Sequence, residues 1–110
     1  MTPRARLEVV SVARVDALLA RQPGRLARLF TAAEWAYCTE RRFAAQHLAA
    51  RLAAKRASRR LGLEGPFADL EIRRDDRGAP GLFTAGWPQP WQVSLSHDGD
   101  VAVALLVEAP

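Results

Sequence analysis

The sequence predicts an α+β fold, an antiparallel sheet packed against one long helix, and three observations predict it. The chain opens on a Val-rich stretch, "RLEVVS", that reads as a strand. An Ala- and Leu-dense run over about 43–61 contains no Gly or Pro and is too long for a strand. The last third alternates apolar and polar residues between turn signals, ending in "WQVSLSHDGDVAVALLVE".

The elements follow in order. Apolar residues at 7, 9, 10, 12, 13 and 15 place a strand at about 6–11 and a helix at about 12–20. "RQPGR" (21–25) breaks that helix, and "LARLF" makes a short helical turn. "TAAE" (31–34) is a capping box in which Thr31 caps and Glu34 reaches back, starting a helix that runs to about Thr39. The long helix ends at Gly62, a C-cap candidate. After the turn "EGP" (64–66), "FADLEIRRD" (67–75) reads as a strand. "DDRGAPG" (75–81) is turn chemistry before a return strand at 82–84. "GWPQPW" (86–91) reads as irregular because of its two prolines. The closing runs flank Asp98-Gly99 as a hairpin, with Ser94 and Ser96 on one face and Val93, Leu95 and His97 on the other.

A length of 110 residues bounds the chain to one domain, 1–110, with one modest core. The net charge is +4, and all but one of the sixteen cationic side chains are arginine, the exception being Lys55. Such a surface favours an anionic partner. Nucleic acid is excluded, because no tract of basic residues with interleaved aromatics occurs. A membrane span is excluded, because no apolar run nears the roughly 18 residues required. The N-terminus shows no signal-peptide pattern, and the single Cys38 fits a reducing cytoplasm. Cys38 reads as a buried small hydrophobe.

His47, Arg51, Lys55 and Arg59 recur every fourth residue and share one stripe of the long helix, with Arg56 and Arg60 beside it. Each like-charged pair at that spacing costs an isolated helix about 0.2–0.5 kcal/mol. The stripe is therefore either a solvated face or a cradle for a polyanion, for which guanidinium forks and a lysine are suited. "SLSH" at a strand tip groups hydroxyls with an imidazole, but no acid is spaced to complete a triad. Glu8 lies within an apolar strand and is paired, metal-bound or turned to solvent. Period 2 puts it with Arg6 and Val10, opposite Leu7 and Val9, and solvent is the ordinary expectation.

These stretches together resemble the holo-acyl-carrier-protein synthase family, the small trimeric branch of the 4'-phosphopantetheinyl transferases. "RLEVVSVARV" resembles the family's opening Gly-Ile-Asp strand, and "LFTAAEWAYC" its Phe-Thr-x-x-Glu-x-x-Tyr-Cys segment. "HLAARLAAKRA" resembles its His-Leu-Ala-Ala-Arg-Phe-Ala-Ala-Lys-Glu-Ala helix. "FADLEIRRDDRGAP" and "VSLSHDGDVAVALLV" resemble its hairpin and its closing Ser-x-Ser-His strand pair. The resemblance implies the phosphopantetheinyl transferase fold and transfer of 4'-phosphopantetheine from coenzyme A to a serine of an acyl carrier protein, assisted by Mg²⁺. It implies coenzyme A contacts at His47, Arg51, Lys55, Ser96 and His97. Carrier-protein contacts would fall at Arg14, Arg21 and Arg25. The active site would lie between subunits of a homotrimer.

The metal position departs from that pattern. The first-strand acid is matched by Glu8, but the helix glutamate is matched by Arg56, which cannot be a metal ligand. The family's next lysine is matched by Arg60 or Arg59. Glu8, Lys55, Arg56 and Arg60 are the positions where the resemblance puts catalysis, with Glu8 the one remaining metal ligand. One carboxylate and one guanidinium sum to zero, as do two carboxylates and Mg²⁺, so a Glu8–Arg56 salt bridge is expected where the metal would sit. Two functions follow from this. The chain is a transferase with an altered Mg²⁺ site, or it is a homologue that no longer transfers phosphopantetheine. That homologue would bind an acyl carrier protein or act on a carrier-bound intermediate.

Overall fold

The structure, a computed structural model, describes residues 2–110. Strand β1 (Ala5–Ser11) leads directly into helix α1 (Val12–Arg21). Ser11 caps α1 by accepting the Arg14 amide. Helix α2 (Pro23–Ala27) starts with Pro at its first turn, where a missing N–H costs nothing. Helix α3 (Ala32–Thr39) carries the full Thr31–Glu34 capping box. Helix α4 (Ala44–Arg60) is the long one. It ends in a Schellman motif: Gly62 (φ 93°) donates to Arg59 O, and Leu63 donates to Ser58 O. A 3₁₀ turn (Phe67–Asp69) then leads to strands β2 (Leu70–Arg74), β3 (Pro80–Thr84), β4 (Trp87–Asp98) and β5 (Val101–Glu108).

The five strands form one sheet in the order β1-β5-β4-β3-β2, antiparallel throughout. α4 crosses one face of this sheet, and α1 and α3 pack on α4 from its other sides. Small side chains make the close approach possible: Ala49, Ala53, Ala54 and Ala57 of α4 and Ala102 and Ala104 of β5 are fully buried. α4 is thus buried around most of its circumference, and this changes the meaning of its polar stripe. No helix among the described residues is long and apolar enough to cross a membrane.

Three local expectations are corrected. Residues 87–90 are part of β4 rather than irregular. They extend past the end of β5, whose pairing begins at Trp91↔Glu108, and β3 is met across a register shift, so the prolines interrupt no continuous ladder. A second hairpin joins β3 to β4 through Ala85 (φ 50°) and Gly86 (φ 82°), a left-handed pair of the type I′ kind. The closing hairpin turns at Gly99-Asp100, one residue later than expected. Only Gly99 takes positive φ there, and Asp98 pairs with Val101. That shift frees Asp100, whose carboxylate accepts from Ala13 N and Ser11 Oγ at the positive end of α1.

The sheet face turned away from α4 is unusually apolar. Leu7 and Val9 are 56% and 52% exposed. They register with Leu105 and Val103 of β5, which pair in turn with Ser94 and Ser96 of β4.

Candidate functional site

The stripe on α4 divides into four different environments. His47, half-buried on the first turn, meets His97 of β4 with ring centroids 6.0 Å apart at 70°. Tyr37 of α3 stands edge-on to His47 at 6.4 Å. Arg51, one turn on, is only 2% exposed and stacks over Tyr37 at 4.5 Å, yet its Nε and Nη1 have no hydrogen-bond partner. Burying such donors unmatched costs about 1–3 kcal/mol each, and more for a charged group. Arg59 is a structural tie that donates to Gly65 O and stacks on Phe67.

Lys55 corrects the expectation of a ligand contact. It is fully buried, and its ammonium spends all three donors inside the protein: on Glu34 Oε1 (2.6 Å), Phe67 O (2.7 Å) and Leu70 O (2.5 Å). Glu34 is buried with it and also accepts from Thr31 N (2.9 Å) and, through Oε2, from Ile72 N (2.9 Å). The pair locks α3, α4 and β2 together, leaving the lysine no donor for a ligand in this conformation.

What remains of the stripe opens into a cleft of about 290 Å³ lined by His47, Ala50, Arg51, Arg74, Leu95, Ser96 and His97. A neighbouring hollow of about 250 Å³ shares Arg51 and Arg74. No carboxylate lines the first cleft. Burial pulls His47 below the ordinary 6.5, and Arg51, His97, Arg41 and Arg74 push it the same way, so the imidazole is neutral at pH 7. Two guanidiniums and two imidazoles without a carboxylate make a site suited to a phosphate-bearing anion. Arg74 escapes the motif reading, although strand alternation places it on the helix-facing side with Leu70 and Ile72. Cys38 is fully buried, and burial raises its thiol to about 11, which suits packing and not nucleophilic attack.

The second group of predicted residues lies elsewhere. Arg60 is thirteen residues beyond His47, about 20 Å along α4 at 1.5 Å per residue. Glu8 faces the helix side of the sheet, not solvent, with only 13% of its side chain exposed. Its Oε1 meets Arg6 Nη2 at 3.0 Å and Arg60 Nε at 3.4 Å. The expected Glu8–Arg56 salt bridge is absent: Arg56 is exposed, and no carboxylate among the described residues lies within 4.0 Å of it. One carboxylate already engaged by two guanidiniums does not fit the oxygen-rich shell that Mg²⁺ requires. Among the described residues no group of three or more His, Cys, Asp or Glu side chains can hold a metal ion.

A third surface lies on α1. Arg14, Ala17, Leu18, Arg21 and Gln22 line an open groove of about 380 Å³. Arg14, Arg21 and, on α2, Arg25 are exposed. Leu18 is 40% exposed between them, an apolar element of the groove that charge patterning did not reveal.

Known proteins share this fold. The family model of the 4'-phosphopantetheinyl transferase N-terminal domain matches residues 35–107. A holo-[acyl-carrier-protein] synthase of Anaeromyxobacter dehalogenans is 41% identical over 117 residues, covering 92% of this chain and 91% of its own. One from Kocuria rhizophila is 35% identical, covering 92% and 87%. Among solved structures, the holo-(acyl-carrier-protein) synthase of Bacillus anthracis in complex with CoA (3',5'-ADP) superposes with a TM-score of 0.79. It is 28% identical, with 96% of each chain covered. The Chronobacterium ammoniagenes ACPS–CoA complex has a TM-score of 0.79 at 25% identity, covering 100% and 99%. With the β1-to-β5 order, the long helix and near-complete coverage in agreement, the chain belongs to the 4'-phosphopantetheinyl transferases, in their holo-[acyl-carrier-protein] synthase branch.

Proposed function

We propose that this protein transfers 4'-phosphopantetheine from coenzyme A to a serine of an acyl carrier protein. The observation that carries the proposal is Arg51, a buried guanidinium with two unmatched donors in a cleft without carboxylates. The phosphates of coenzyme A would offer those donors charge-assisted hydrogen bonds. His47, Arg74, Ser96 and His97 complete the cleft.

In the reaction, the serine oxygen forms a bond to the phosphorus that carries pantetheine. The bond from that phosphorus to the leaving phosphate breaks, and its electron pair departs with adenosine 3',5'-bisphosphate. The serine proton passes to water. The protein's contribution is to hold the diphosphate and to place cations where negative charge grows on the leaving group. The groove on α1 presents Arg14, Leu18 and Arg21 to the acidic carrier, with Arg25 beside them.

The coenzyme cleft and the Glu8 corner lie at opposite ends of α4, so one copy does not unite them. A homotrimer would, with the cleft of one subunit facing the Glu8 corner of the next. The exposed face of Leu7, Val9, Val103 and Leu105 supports such an assembly, since exposed apolar patches mark interaction surfaces. The activity belongs in the cytoplasm, where coenzyme A is held and the unpaired Cys38 stays reduced.

The test is to incubate the protein with an apo carrier protein and coenzyme A and to weigh the carrier. A mass gain of one phosphopantetheine is expected. An unchanged mass with the carrier still bound would refute transfer and favour a carrier-binding homologue.

A further inference from the structure

Glu8 occupies one acid position of the metal pair that the family resemblance implies, yet it is surrounded by cations. Its Oε1 takes Arg6 through Nε (3.1 Å) and Nη2 (3.0 Å), and Arg60 approaches through Nε at 3.4 Å. Arg56 leaves α4 one turn before Arg60, exposed and without a carboxylate within 4.0 Å among the described residues. Three guanidiniums against one carboxylate leave this corner with an excess of positive charge, and guanidinium does not deprotonate in a folded protein. Two carboxylates would attract a divalent cation; this corner repels one and attracts an anion.

We propose that Arg56 and Arg60 replace the divalent metal, clamping the coenzyme's diphosphate directly, a proposal that rests on the phosphopantetheine-transfer reading above. Arg60 meets Glu8 through Nε, so its two terminal nitrogens are left to a ligand. Arg56 and Arg60 stand at i and i+4, close enough to grip adjacent phosphates of one diphosphate. Glu8 is then a positioning residue: it fixes Arg60 and touches no reacting atom. As the bond to the leaving phosphate breaks, the charge gathering on its oxygens meets guanidinium instead of metal. No added metal or co-reactant is needed for the step to balance.

The test uses the full chain and separates binding from transfer. Coenzyme A is titrated calorimetrically in EDTA and again in excess Mg²⁺, and Mn²⁺ is titrated by electron paramagnetic resonance. Coenzyme A affinity is expected to agree within about threefold in the two buffers, and wild type is expected to hold no Mn²⁺ in the absence of ligand. Arg56→Gln and Arg60→Gln are each expected to weaken coenzyme A about tenfold in EDTA, with unchanged circular dichroism. Arg56→Glu is expected to gain Mn²⁺ binding. Stoichiometric Mn²⁺ on wild type, coenzyme A binding that requires metal, or undiminished affinity in both glutamine variants would overturn the clamp. Carrier modification that stops in EDTA would also overturn the clamp while leaving the transferase reading intact. Metal-independent coenzyme A binding with no carrier modification would support the clamp and refute the transferase reading.

Discussion

Replacing Lys55 by methionine separates a structural lysine from a ligand-binding one. Methionine fills similar volume but removes three donors, those to Glu34 Oε1, Phe67 O and Leu70 O. Glu34 is left as a buried carboxylate facing only the amides of Thr31 and Ile72. Removing one partner of a buried ion pair costs about 3–5 kcal/mol. The two orphaned carbonyls keep the value in the upper part of that range, about 4 kcal/mol. For a chain of this size the midpoint of thermal unfolding should fall by roughly 15 °C or more. Urea unfolding followed by circular dichroism measures the loss, and the double variant Lys55→Met with Glu34→Gln gives the control. Neutralising Glu34 removes the stranded charge but keeps an accepting oxygen for only one of the Thr31 and Ile72 amides, so the double variant should regain only about 1 kcal/mol over the single. A Lys55→Met protein within about 1 kcal/mol of wild type that loses coenzyme A binding would refute this reasoning and return Lys55 to the ligand.

Three further outcomes are expected. Arg51→Ala should weaken coenzyme A by at least about tenfold while leaving stability unchanged or raised, because it deletes an unpartnered buried charge; titration calorimetry and thermal unfolding read both. Leu18→Glu, on the α1 groove, should raise KM for the carrier protein in steady-state transfer assays with no change in coenzyme A affinity. His47 is held below 6.5 in the folded state, so the unfolded chain binds its proton first as pH falls. Stability is therefore expected to drop as pH falls from 6.5 through the folded value, a slope that His47→Gln should remove in unfolding measured across that range.

Much of the fold was legible in the sequence because local signals and tertiary contacts agree. The Thr31–Glu34 box, the Gly62 stop and the alternation of β4 and β5 all depend on spacing, and spacing is visible in a linear chain. The Ala85-Gly86 turn was not legible, since alanine does not advertise a left-handed conformation. Nor was Asp100 as the cap of α1, because its partners lie 87 and 89 residues away. Helical periodicity put His47, Arg51, Lys55 and Arg59 on one stripe, and it was right about the geometry. It could not say which members face a cleft and which face a protein wall, since a stripe has no knowledge of what packs on it.

By itself, the sequence determined the order of elements, the amphipathic strands and the helix limits, which follow from local chemistry and spacing, and its family resemblance marked Arg56 as standing where an acid was expected. Only the tertiary structure decided the fate of each charge. By burying α4 on most of its circumference it turned Lys55 inward onto Glu34 and left Arg51 without partners in a cleft. It also set Arg60, not Arg56, beside Glu8. The physical reason is that a buried charge takes its meaning from the few groups within about 4 Å, and in a fold those groups come from distant parts of the chain.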